Sequence, residues 1–247
     1  MDNPYKKYDS NFYKEFDKEG FAHSAERVLS VVAESLPPIK SAVDVGCGTG
    51  YWLQTLKANH QTETVKGIDG RWVDRQYLKI QEEDFLEADM AKALPDMKQR
   101  FDLAISLEVA EHLPPERANE FVNYLTTLSD FVLFSAATPI QSGTNHLNEQ
   151  WQDYWADIFE KKGYVPFDII RPKVWNDGKV VGQYKQNTVL YVNKNKTEEV
   201  NAPYITREEL MLSVGHPCHL NITMKTIFWR GTLRKALKRS FKRIFRL

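Results

Sequence analysis

Short apolar runs alternate with longer stretches of mixed polarity between residues 41 and 162. The apolar runs are rich in β-branched and aromatic residues and too short for buried helices, so they predict strands. These predicted strands cover residues 41–46, 64–69, 85–89, 101–107 and 131–138. The intervening and following stretches carry apolar residues at helical spacing and predict helices over residues 52–58, 71–78, 115–128 and 151–162, the last ended by Gly163.

Two further patterns flank this alternating region. Before it, residues 12–36 have the apolar spacing of a helix, which Pro37 and Pro38 end. After it, residues 167–173 and 188–192 predict two strands joined through a turn at residues 176–178. Strands that alternate with helices predict an α/β fold with a parallel sheet and right-handed crossovers.

The most informative local pattern is an apolar strand that runs directly into a glycine-rich turn. Residues 43–50 read VDVGCGTG, and residues 51–53 open a helix. Glycines at alternate positions let the backbone turn sharply and approach a ligand with no side chain in the way. The start of the following helix offers unpaired N–H groups to a negative group. The turn therefore predicts a nucleotide-type site at the carboxyl edge of the sheet.

The spacing of this turn differs from the G-x-G-x-x-G pattern of dinucleotide-binding proteins, because Tyr51 stands where the third glycine belongs. The pattern here is D-x-G-x-G-x-G, with Asp44 two residues before the first glycine. It resembles the first motif of the class I S-adenosylmethionine (SAM) methyltransferases. The resemblance covers about residues 8–192. It implies a Rossmann-like fold, with a seven-stranded, mostly parallel sheet flanked by helices and a last strand inserted antiparallel.

Acidic residues at the ends of the next two strands fit the same cofactor. Asp69 follows Gly50 by 19 residues and can accept hydrogen bonds from ribose hydroxyls. The resemblance implies that Asp89 takes the adenine amino group, with a helix cap as the alternative. The residues predicted to bind SAM are Asp44, Gly46, Cys47, Gly48, Gly50, Asp69, Gly70, Asp89, Met90, Leu107 and Glu108.

The predicted fourth strand leads into a second motif, since residues 105–114 read ISLEVAEHLP. Many class I methyltransferases have E-x-x-E-H-L or a close relative here. In the small-RNA 2′-O-methyltransferases and some ubiquinone-pathway O-methyltransferases the pattern holds a divalent metal, and a later histidine completes the site of the RNA enzymes. The resemblance implies a Mg²⁺ or Mn²⁺ site formed by Glu108, Glu111, His112 and His146.

A metal in this position could bind an acceptor hydroxyl and lower its pKa. Two alternatives stay open. In the first, the chemistry is metal-free and His146 is a general base, with Glu111 and His112 beside it as catalytic groups. In the second, the polar groups of this turn only hydrogen-bond one another.

Polar and aromatic residues after the fifth predicted strand point to an acceptor. Their order, H-x-N-E-Q-W…Y-W…G-Y…Y-x-Q-N from residue 146 to residue 187, resembles a group of bacterial methyltransferases often encoded with glycosyltransferases for surface glycans. The resemblance implies a sugar or lipid-linked glycan acceptor and glycosyltransferases as partners. Trp151, Tyr154 and Trp175 could stack on sugar rings and Gln186 could read hydroxyls, while packing in the core is the alternative for each aromatic.

Composition places the chain among ordinary soluble proteins, with 42% apolar and 27% charged residues. Its two cysteines form no disulfide framework, which is typical of a reducing cytosol. The start has no signal-peptide core, and no apolar run approaches a membrane span. Although the net charge is zero, residues 225–247 carry nine basic and no acidic groups, so the rest of the chain has a balance of −9.

This basic segment predicts an amphipathic helix, with Trp229, Phe241 and Phe245 on its apolar face. We expect it to attach a cytoplasmic protein to the anionic inner face of a membrane. Packing on the acidic part of the same chain and binding to nucleic acid are the alternatives. The predicted boundaries are a methyltransferase domain at 1–194, with a helical cap at 1–40, and an extension at 195–247 that ends in this helix.

Together these patterns and the resemblances they carry imply a SAM-dependent methyltransferase that O-methylates a sugar or lipid-linked glycan hydroxyl in surface polysaccharide biosynthesis, with or without a metal. An RNA 2′-O-methyltransferase or a small-molecule O-methyltransferase is the alternative enzyme, and a non-enzymatic scaffold is the third possibility. The acidic balance of the domain argues against nucleic acid, because phosphate backbones need positive charge around the reaction site.

Overall fold

The computed structural model of the protein describes residues 19–139, 141, 143–216, 218 and 219. Seven strands form one sheet: β1 (Ser41–Val45), β2 (Thr64–Asp69), β3 (Phe85–Glu87), β4 (Leu103–Leu107), β5 (Phe131–Ser135), β6 (Tyr164–Phe167) and β7 (Val189–Asn193). The α-helices that flank it are α1 (Glu19–Ser35), α2 (Tyr51–Asn59), α3 (Ala118–Leu128), α4 (Gln152–Lys161), α5 (Arg171–Val174) and α6 (Gly182–Asn187).

The strand order across the sheet is β3-β2-β1-β4-β5-β7-β6. The first five strands in this order pair in parallel, while β7 lies antiparallel between β5 and β6. The predicted Rossmann-like, mostly parallel sheet of seven strands is therefore confirmed. The chain runs outward from β1 to β3 on one side and from β4 onward on the other, so the strand order reverses between β1 and β4.

Helices cover both faces of the sheet, and each face has its own apolar cluster. Leu29 of α1 belongs to one cluster, while Phe121 of α3 and Trp155 of α4 belong to the other. The successive residues Ala42 and Val43 of β1 contribute to opposite clusters. Strands buried on both faces have no polar side, which explains why the sequence shows continuous apolar runs.

The helix predicted over residues 71–78 is wrong, because only the three-residue 3₁₀ turn Arg75–Tyr77 forms there. The Asp74 carboxylate accepts the backbone N–H of Gln76 at 3.2 Å. A short acidic side chain that satisfies a nearby N–H competes with the helical hydrogen bond and favours a turn.

Of the two strands predicted at residues 167–173 and 188–192, the second is confirmed as β7, whereas the first is wrong beyond Phe167, and among the described residues between them no turn joins the two directly. The chain is extended only as far as Phe167 and then forms α5, in whose first turn Pro172 lies. A missing N–H has little cost in the first turn of a helix. Asp168 forms a salt bridge across this turn with Arg171 at 2.8 Å. The turn at residues 176–178 therefore joins two helices rather than two strands.

The chain after β7 continues into a 3₁₀ segment, Lys194–Glu199, and then follows an irregular course against the domain. The buried Arg171 guanidinium donates a hydrogen bond to the Leu212 carbonyl at 2.6 Å. Arg207 forms salt bridges with Asp153 and Asp157 of α4. These contacts fasten the first part of the predicted extension to the sheet edge.

Two predicted helical segments lie outside the described residues. They are residues 12–18, at the start of the first predicted helix, and the basic segment 225–247. Within the part of the chain that the structure describes, no helix has the length and apolar character needed to cross a membrane.

Candidate functional site

Residues 46–50, which we call the glycine loop, follow β1 at the carboxyl edge of the sheet, where the strand order reverses. They lead directly into α2. Gly46, Gly48 and Gly50 have φ angles of 89°, 54° and 85°, which lie in the left-handed region that favours glycine. A Cβ atom added at Gly46 would lie 2.3 Å from the Val109 side chain. The alternate glycines are therefore required by the loop backbone and by its close approach to the end of β4.

Two buried side chains, Asp44 and Cys47, lie at the base of this loop. Burial and the negative charge of Asp69 raise the pKa of both groups well above their ordinary values. A protonated, buried thiol fills space and is a poor nucleophile. One oxygen of Asp44 is buried without a hydrogen-bond partner. An orphaned buried acceptor of this kind fits a donor or a positive charge on a ligand.

Asp69 connects the glycine loop to the end of β2. Its carboxylate accepts the backbone N–H of Gly48 at 2.7 Å and that of Gly70 at 2.6 Å. Burial raises the pKa of Asp69 to about 6, while these two hydrogen bonds and one from Trp72 act in the opposite direction. A carboxylate has about four lone-pair positions, so Asp69 retains acceptor capacity for a further donor such as a ribose hydroxyl.

Asp89 occupies the turn after β3. Its carboxylate accepts the N–H of Ala91 at 3.2 Å and pairs with Lys92 at 3.0 Å. In this structure the side chain therefore satisfies a backbone N–H of the turn that follows β3. Met90 is buried in the apolar cluster on the α3 and α4 face, and Leu107 is buried in the opposite cluster, so backbone atoms are what these two residues offer to a ligand.

The residues at the glycine loop fit SAM. The space beside Gly48 is open, since an added Cβ atom would meet no atom within 4 Å. The buried carboxyls Asp44 and Asp69 flank this space and suit a ligand that carries hydroxyl and cationic groups. The switch point between β1 and β4 is also where sheets of this type bind nucleotides.

Beside the loop, at the carboxyl end of β4, three residues form a second group. Glu111, His112 and His146 each place one possible metal-ligating atom within 4.8 Å of the others. Glu111 and His112 lie in the 3₁₀ turn Ala110–His112, whereas His146 comes from the loop after β5. The backbone N–H groups of Leu147 and Asn148 donate to the Glu111 carbonyl at 2.7 and 3.0 Å, and this contact holds the loop against the turn.

Both imidazole rings are oriented by an oxygen atom at Nδ1. The Nδ1 of His112 lies 3.3 Å from the Asn145 carbonyl, and the Nδ1 of His146 lies 2.7 Å from the Glu149 carboxylate. Because these oxygens only accept hydrogen bonds, we assign a proton to the Nδ1 atom of each ring. Nε2 is then the atom of each ring that can bind a ligand, which is the arrangement that metal-binding histidines commonly show.

The carboxyl of Glu111 is almost fully buried, and its Oε2 has no hydrogen-bond partner. Burial and the negative charge of Glu108 raise the pKa of Glu111 well above its ordinary value. Burial and the neighbouring His146 lower the pKa of His112 to about 4, so His112 is neutral at pH 7. An orphaned carboxylate oxygen beside two imidazole rings fits a divalent cation.

Glu108 is not part of this group, and its predicted role as a metal ligand is corrected. Its two carboxylate oxygens accept hydrogen bonds from the side-chain amides of Gln141 at 2.6 Å and Asn187 at 3.1 Å. Its φ is +58°, and its N–H donates to the Ser135 carbonyl. These contacts turn the Glu108 side chain toward α6, while Glu111 faces the two histidines.

The four residues predicted to contact the acceptor differ in how exposed they are and in what they pack against. Trp151 is 37% exposed at the start of α4. Tyr154 packs edge-on against the buried Trp155 at 5.1 Å, so its environment is that of the core margin. The ring of Trp175 lies 4.5 Å from that of His216, which covers it.

Gln186 is corrected from an acceptor contact to an interior residue. It is fully buried. Its amide nitrogen donates to Thr138 and Asn187, and its side-chain oxygen accepts the N–H of His216 at 2.6 Å. A side chain engaged at both ends cannot also read a hydroxyl in this arrangement.

Sequence reasoning did not single out Glu149, Gln141 or Asn187 as site residues. Glu149 follows His146 by three residues, within the H-x-N-E pattern that was recognised. Asn187 ends the Y-x-Q-N pattern directly before β7. Gln141 has no sequence signal, because only the fold brings its loop to Glu108.

Comparisons with known proteins place the chain in a family and match its fold. Residues 13–176 match a family model described as a methyltransferase domain, which is more than half of the chain. No curated protein matches the chain in sequence.

Three solved structures illustrate the likeness in fold. DesVI from Streptomyces venezuelae has a TM-score of 0.56 at 13% identity, over 78% of this chain and 99% of that one. A SAM-dependent methyltransferase from Archaeoglobus fulgidus has a TM-score of 0.51 at 17% identity, over 75% and 100%. An O-methyltransferase family protein from Burkholderia thailandensis has a TM-score of 0.50 at 14% identity. The match covers 74% of this chain and 58% of that protein. At such identities the likeness shows the fold alone.

Proposed function

The chain belongs to the methyltransferase-domain family, and we propose that it transfers the methyl group of SAM to a hydroxyl oxygen of a sugar or lipid-linked glycan. The observation that carries this proposal is the group of Glu111, His112 and His146 beside the glycine loop. A methyl acceptor that is an alcohol must lose a proton during transfer. This group supplies the chemistry that proton loss needs, next to the place where a cofactor fits.

The cofactor supplies an electrophilic methyl group on a sulfonium. The role of the protein is to orient the cofactor. Asp69 offers hydrogen-bond acceptors to the ribose, and Asp44 offers an unpartnered oxygen to a cationic group. The glycine loop brings backbone close to the ligand with no side chain between them. Such positioning of two reactants can contribute about 7–11 kcal/mol to the lowering of the barrier.

Glu111, His112 and His146 would hold a divalent metal through one carboxylate oxygen and two Nε2 atoms. One carboxylate and two imidazoles favour Mn²⁺ over Mg²⁺, because imidazole is a poor ligand for Mg²⁺. A metal bound there would lower the pKa of an acceptor hydroxyl. The raised pKa of Glu111 supports a positive partner, since a buried carboxylate without one is costly.

The metal-free mechanism is the second candidate, and the His146–Glu149 pair favours it. A histidine oriented through Nδ1 by a carboxylate at 2.7 Å has the geometry of a general base whose Nε2 takes a proton. His112 does not suit that role, because a histidine with a pKa of about 4 is a weak base at neutral pH.

The surroundings of the cluster support an acceptor that carries hydroxyl groups. The side-chain amide nitrogen of Asn148 is buried without a hydrogen-bond partner. The backbone N–H of the same residue donates to the Glu111 carbonyl, so Asn148 lies next to the cluster. Nearby along the chain, Leu147 and Trp151 are 59% and 37% exposed. An unsatisfied polar group beside exposed apolar side chains is typical of a site that awaits a ligand.

A glycan carried on a lipid would also suit the basic segment 225–247, which we propose attaches the protein to the inner, cytoplasmic face of a membrane, where glycosyltransferases would be partners. Each basic group near an anionic leaflet contributes up to about 1 kcal/mol. Deletion of residues 225–247 should release the protein from anionic vesicles while its melting temperature is unchanged. Equal vesicle binding by the shortened chain would contradict this attachment.

The decisive experiment is mass spectrometry of surface and lipid-linked glycans from the native host. The gene is left intact, deleted, or restored as the wild type, as Glu111→Ala or as Glu116→Ala, an exposed acid outside the site. We expect one methyl mass to disappear on deletion and to return with the wild type and with Glu116→Ala, but not with Glu111→Ala. Unchanged glycans would contradict the acceptor class and leave RNA or a small molecule as the acceptor to test.

A matched binding experiment separates the two mechanisms. Mn²⁺ added to the metal-stripped protein should give a single binding isotherm by calorimetry, and Glu111→Ala should abolish it. Methyl transfer should stop in excess chelator and return with Mn²⁺. Full activity in chelator would refute the metal and favour the His146–Glu149 pair.

A further inference from the structure

Three carboxylates around the glycine loop have no cationic partner within the described residues. Asp44, Asp69 and Glu108 form hydrogen bonds with neutral donors or none, and no Lys, Arg or His nitrogen of the described chain lies within 4.0 Å of them. Buried or half-buried carboxylates are normally paired with a positive charge. The absence of a cationic partner among the described residues favours a ligand that brings positive charge to this pocket.

Glu108 differs from the other two in how firmly its carboxylate is held. The amides of Gln141 and Asn187 each donate to one of its oxygens, and the Asn187 amide also donates to Gln141 at 2.7 Å. We call these two residues the amide clamp. Neutral amides fix the direction of the carboxylate without neutralising its charge, and each oxygen keeps a lone pair.

Further hydrogen bonds hold the amide clamp in place. The Gln186 amide donates to the Asn187 side-chain oxygen at 2.9 Å, and Gln186 in turn accepts the backbone N–H of His216. Two elements that are distant in sequence, α6 and the segment around residue 216, therefore support the orientation of Glu108.

Glu108 also lies next to the cofactor space. It directly follows β4, the neighbour of β1, and the next residue, Val109, is the side chain that Gly46 of the loop approaches. Its positive φ is a strained conformation for a residue other than glycine, and strain of this kind clusters at functional sites.

We propose that Glu108, held by the amide clamp, makes the site prefer the cationic cofactor over the product left after methyl transfer. This rests on the proposed function. In the transfer, the S–CH₃ bond breaks as the O–CH₃ bond forms, the hydroxyl proton passes to a base of the Glu111–His112–His146 group or to solvent water, and the two electrons of the S–CH₃ bond stay on sulfur. The sulfonium thus becomes a neutral thioether, while the adenosine and amino-acid groups are unchanged. A fixed negative charge near sulfur attracts the first ligand only, so it favours cofactor binding and product release.

The test measures dissociation constants of SAM and S-adenosylhomocysteine by calorimetry, without acceptor, and takes their ratio. In Glu108→Gln, which keeps the shape and removes the charge, we expect the preference for SAM to fall on the order of tenfold. In Gln141→Leu, which loosens the clamp at a half-buried loop position, we expect a smaller fall in the same direction. Glu116→Gln removes a charge at an exposed position and should leave the ratio unchanged.

The ratio separates this proposal from a structural role and from the proposed function. A merely structural Glu108 would weaken both ligands together, so an unchanged ratio in Glu108→Gln would overturn the inference. If that variant does not fold, an unchanged ratio in Gln141→Leu overturns it equally. Absence of binding of both ligands to the wild type would instead contradict SAM as the cofactor.

Discussion

The glycine loop and the Glu111–His112–His146 cluster lie at the same edge of the sheet, but they are assembled in different ways. The loop is one continuous segment whose shape is set by the left-handed φ angles of Gly46, Gly48 and Gly50. The cluster joins two segments that are 34 residues apart in sequence, and it depends on hydrogen bonds from residues 147 and 148 to the Glu111 carbonyl.

This difference separates cofactor binding from acceptor chemistry. A substitution in the loop region should change affinity for the cofactor and leave metal binding intact, whereas a substitution in the cluster should do the reverse. The two regions share the neighbourhood of Glu108, whose negative charge adds to burial in raising the pKa of Glu111. Variants in each region can therefore show how independent the two halves are.

The largest effect is expected from Glu111→Ala. It removes the buried carboxylate of the cluster, and we expect turnover to fall on the order of 10³-fold or more, because a bound cation contributes several kcal/mol to the transition state. The dissociation constant of S-adenosylhomocysteine should change less than about twofold. Transfer of labelled methyl groups into host membrane extract and calorimetry measure these two quantities. If cofactor affinity fell as much as turnover does, cofactor binding and acceptor chemistry would not be separable.

Asp69→Ala is the reciprocal substitution, and we expect it to weaken cofactor binding by about 2–4 kcal/mol if both ribose hydrogen bonds are lost. Its carboxylate also holds Gly48 and Gly70, so part of the loss reflects the loop. The Mn²⁺ affinity of the cluster should be unchanged in the same calorimetric assay. Unaltered affinity for S-adenosylhomocysteine would refute the role of Asp69.

Glu149→Gln tests the support behind His146. The variant keeps the shape of the side chain and weakens the charge-assisted hydrogen bond to Nδ1. Loss of such a partner lowers metal affinity about 10–100-fold, which Mn²⁺ titration would detect. Glu116→Gln is the matched control. Undiminished Mn²⁺ affinity would place Glu149 in the metal-free mechanism instead.

A smaller effect is expected from pH. Burial raises the pKa of Asp69 from 3.8 to about 6, so the carboxylate form that accepts ribose hydroxyls is lost as the pH falls through 6. Cofactor affinity should therefore decrease about tenfold between pH 7.5 and pH 5. The contribution of Asp69 to folding has the opposite sign, since it is greatest below pH 3.8 and is lost as the pH rises through 6. Calorimetry with S-adenosylhomocysteine checks the first trend, and a flat profile would contradict it.

The strands and the glycine loop could be predicted because their signals are local. Continuous apolar runs mark strands buried on both faces, and a left-handed backbone requires glycine wherever it occurs. The wrong predictions, of the helix at residues 71–78 and of the strand after Phe167, also have local causes. Asp74 satisfies a backbone N–H and shortens a helix to a turn, and Pro172 lies in the first turn of a helix where a strand was predicted. Short polar and proline residues permit several structures, and the surrounding fold selects one.

The fold class, the position of the cofactor loop and the types of residue available for chemistry follow from the order of the amino acids alone. Which of these residues meet depends on the packing of the folded chain. The E-x-x-E-H motif offers two equivalent carboxylates, yet the 3₁₀ turn directs Glu111 to the histidines, and the amides of Gln141 and Asn187 draw Glu108 away. Sequence spacing fixes which residues share a turn, but the direction of a side chain depends on hydrogen-bond partners from distant segments, and these exist only once the sheet and its loops are packed.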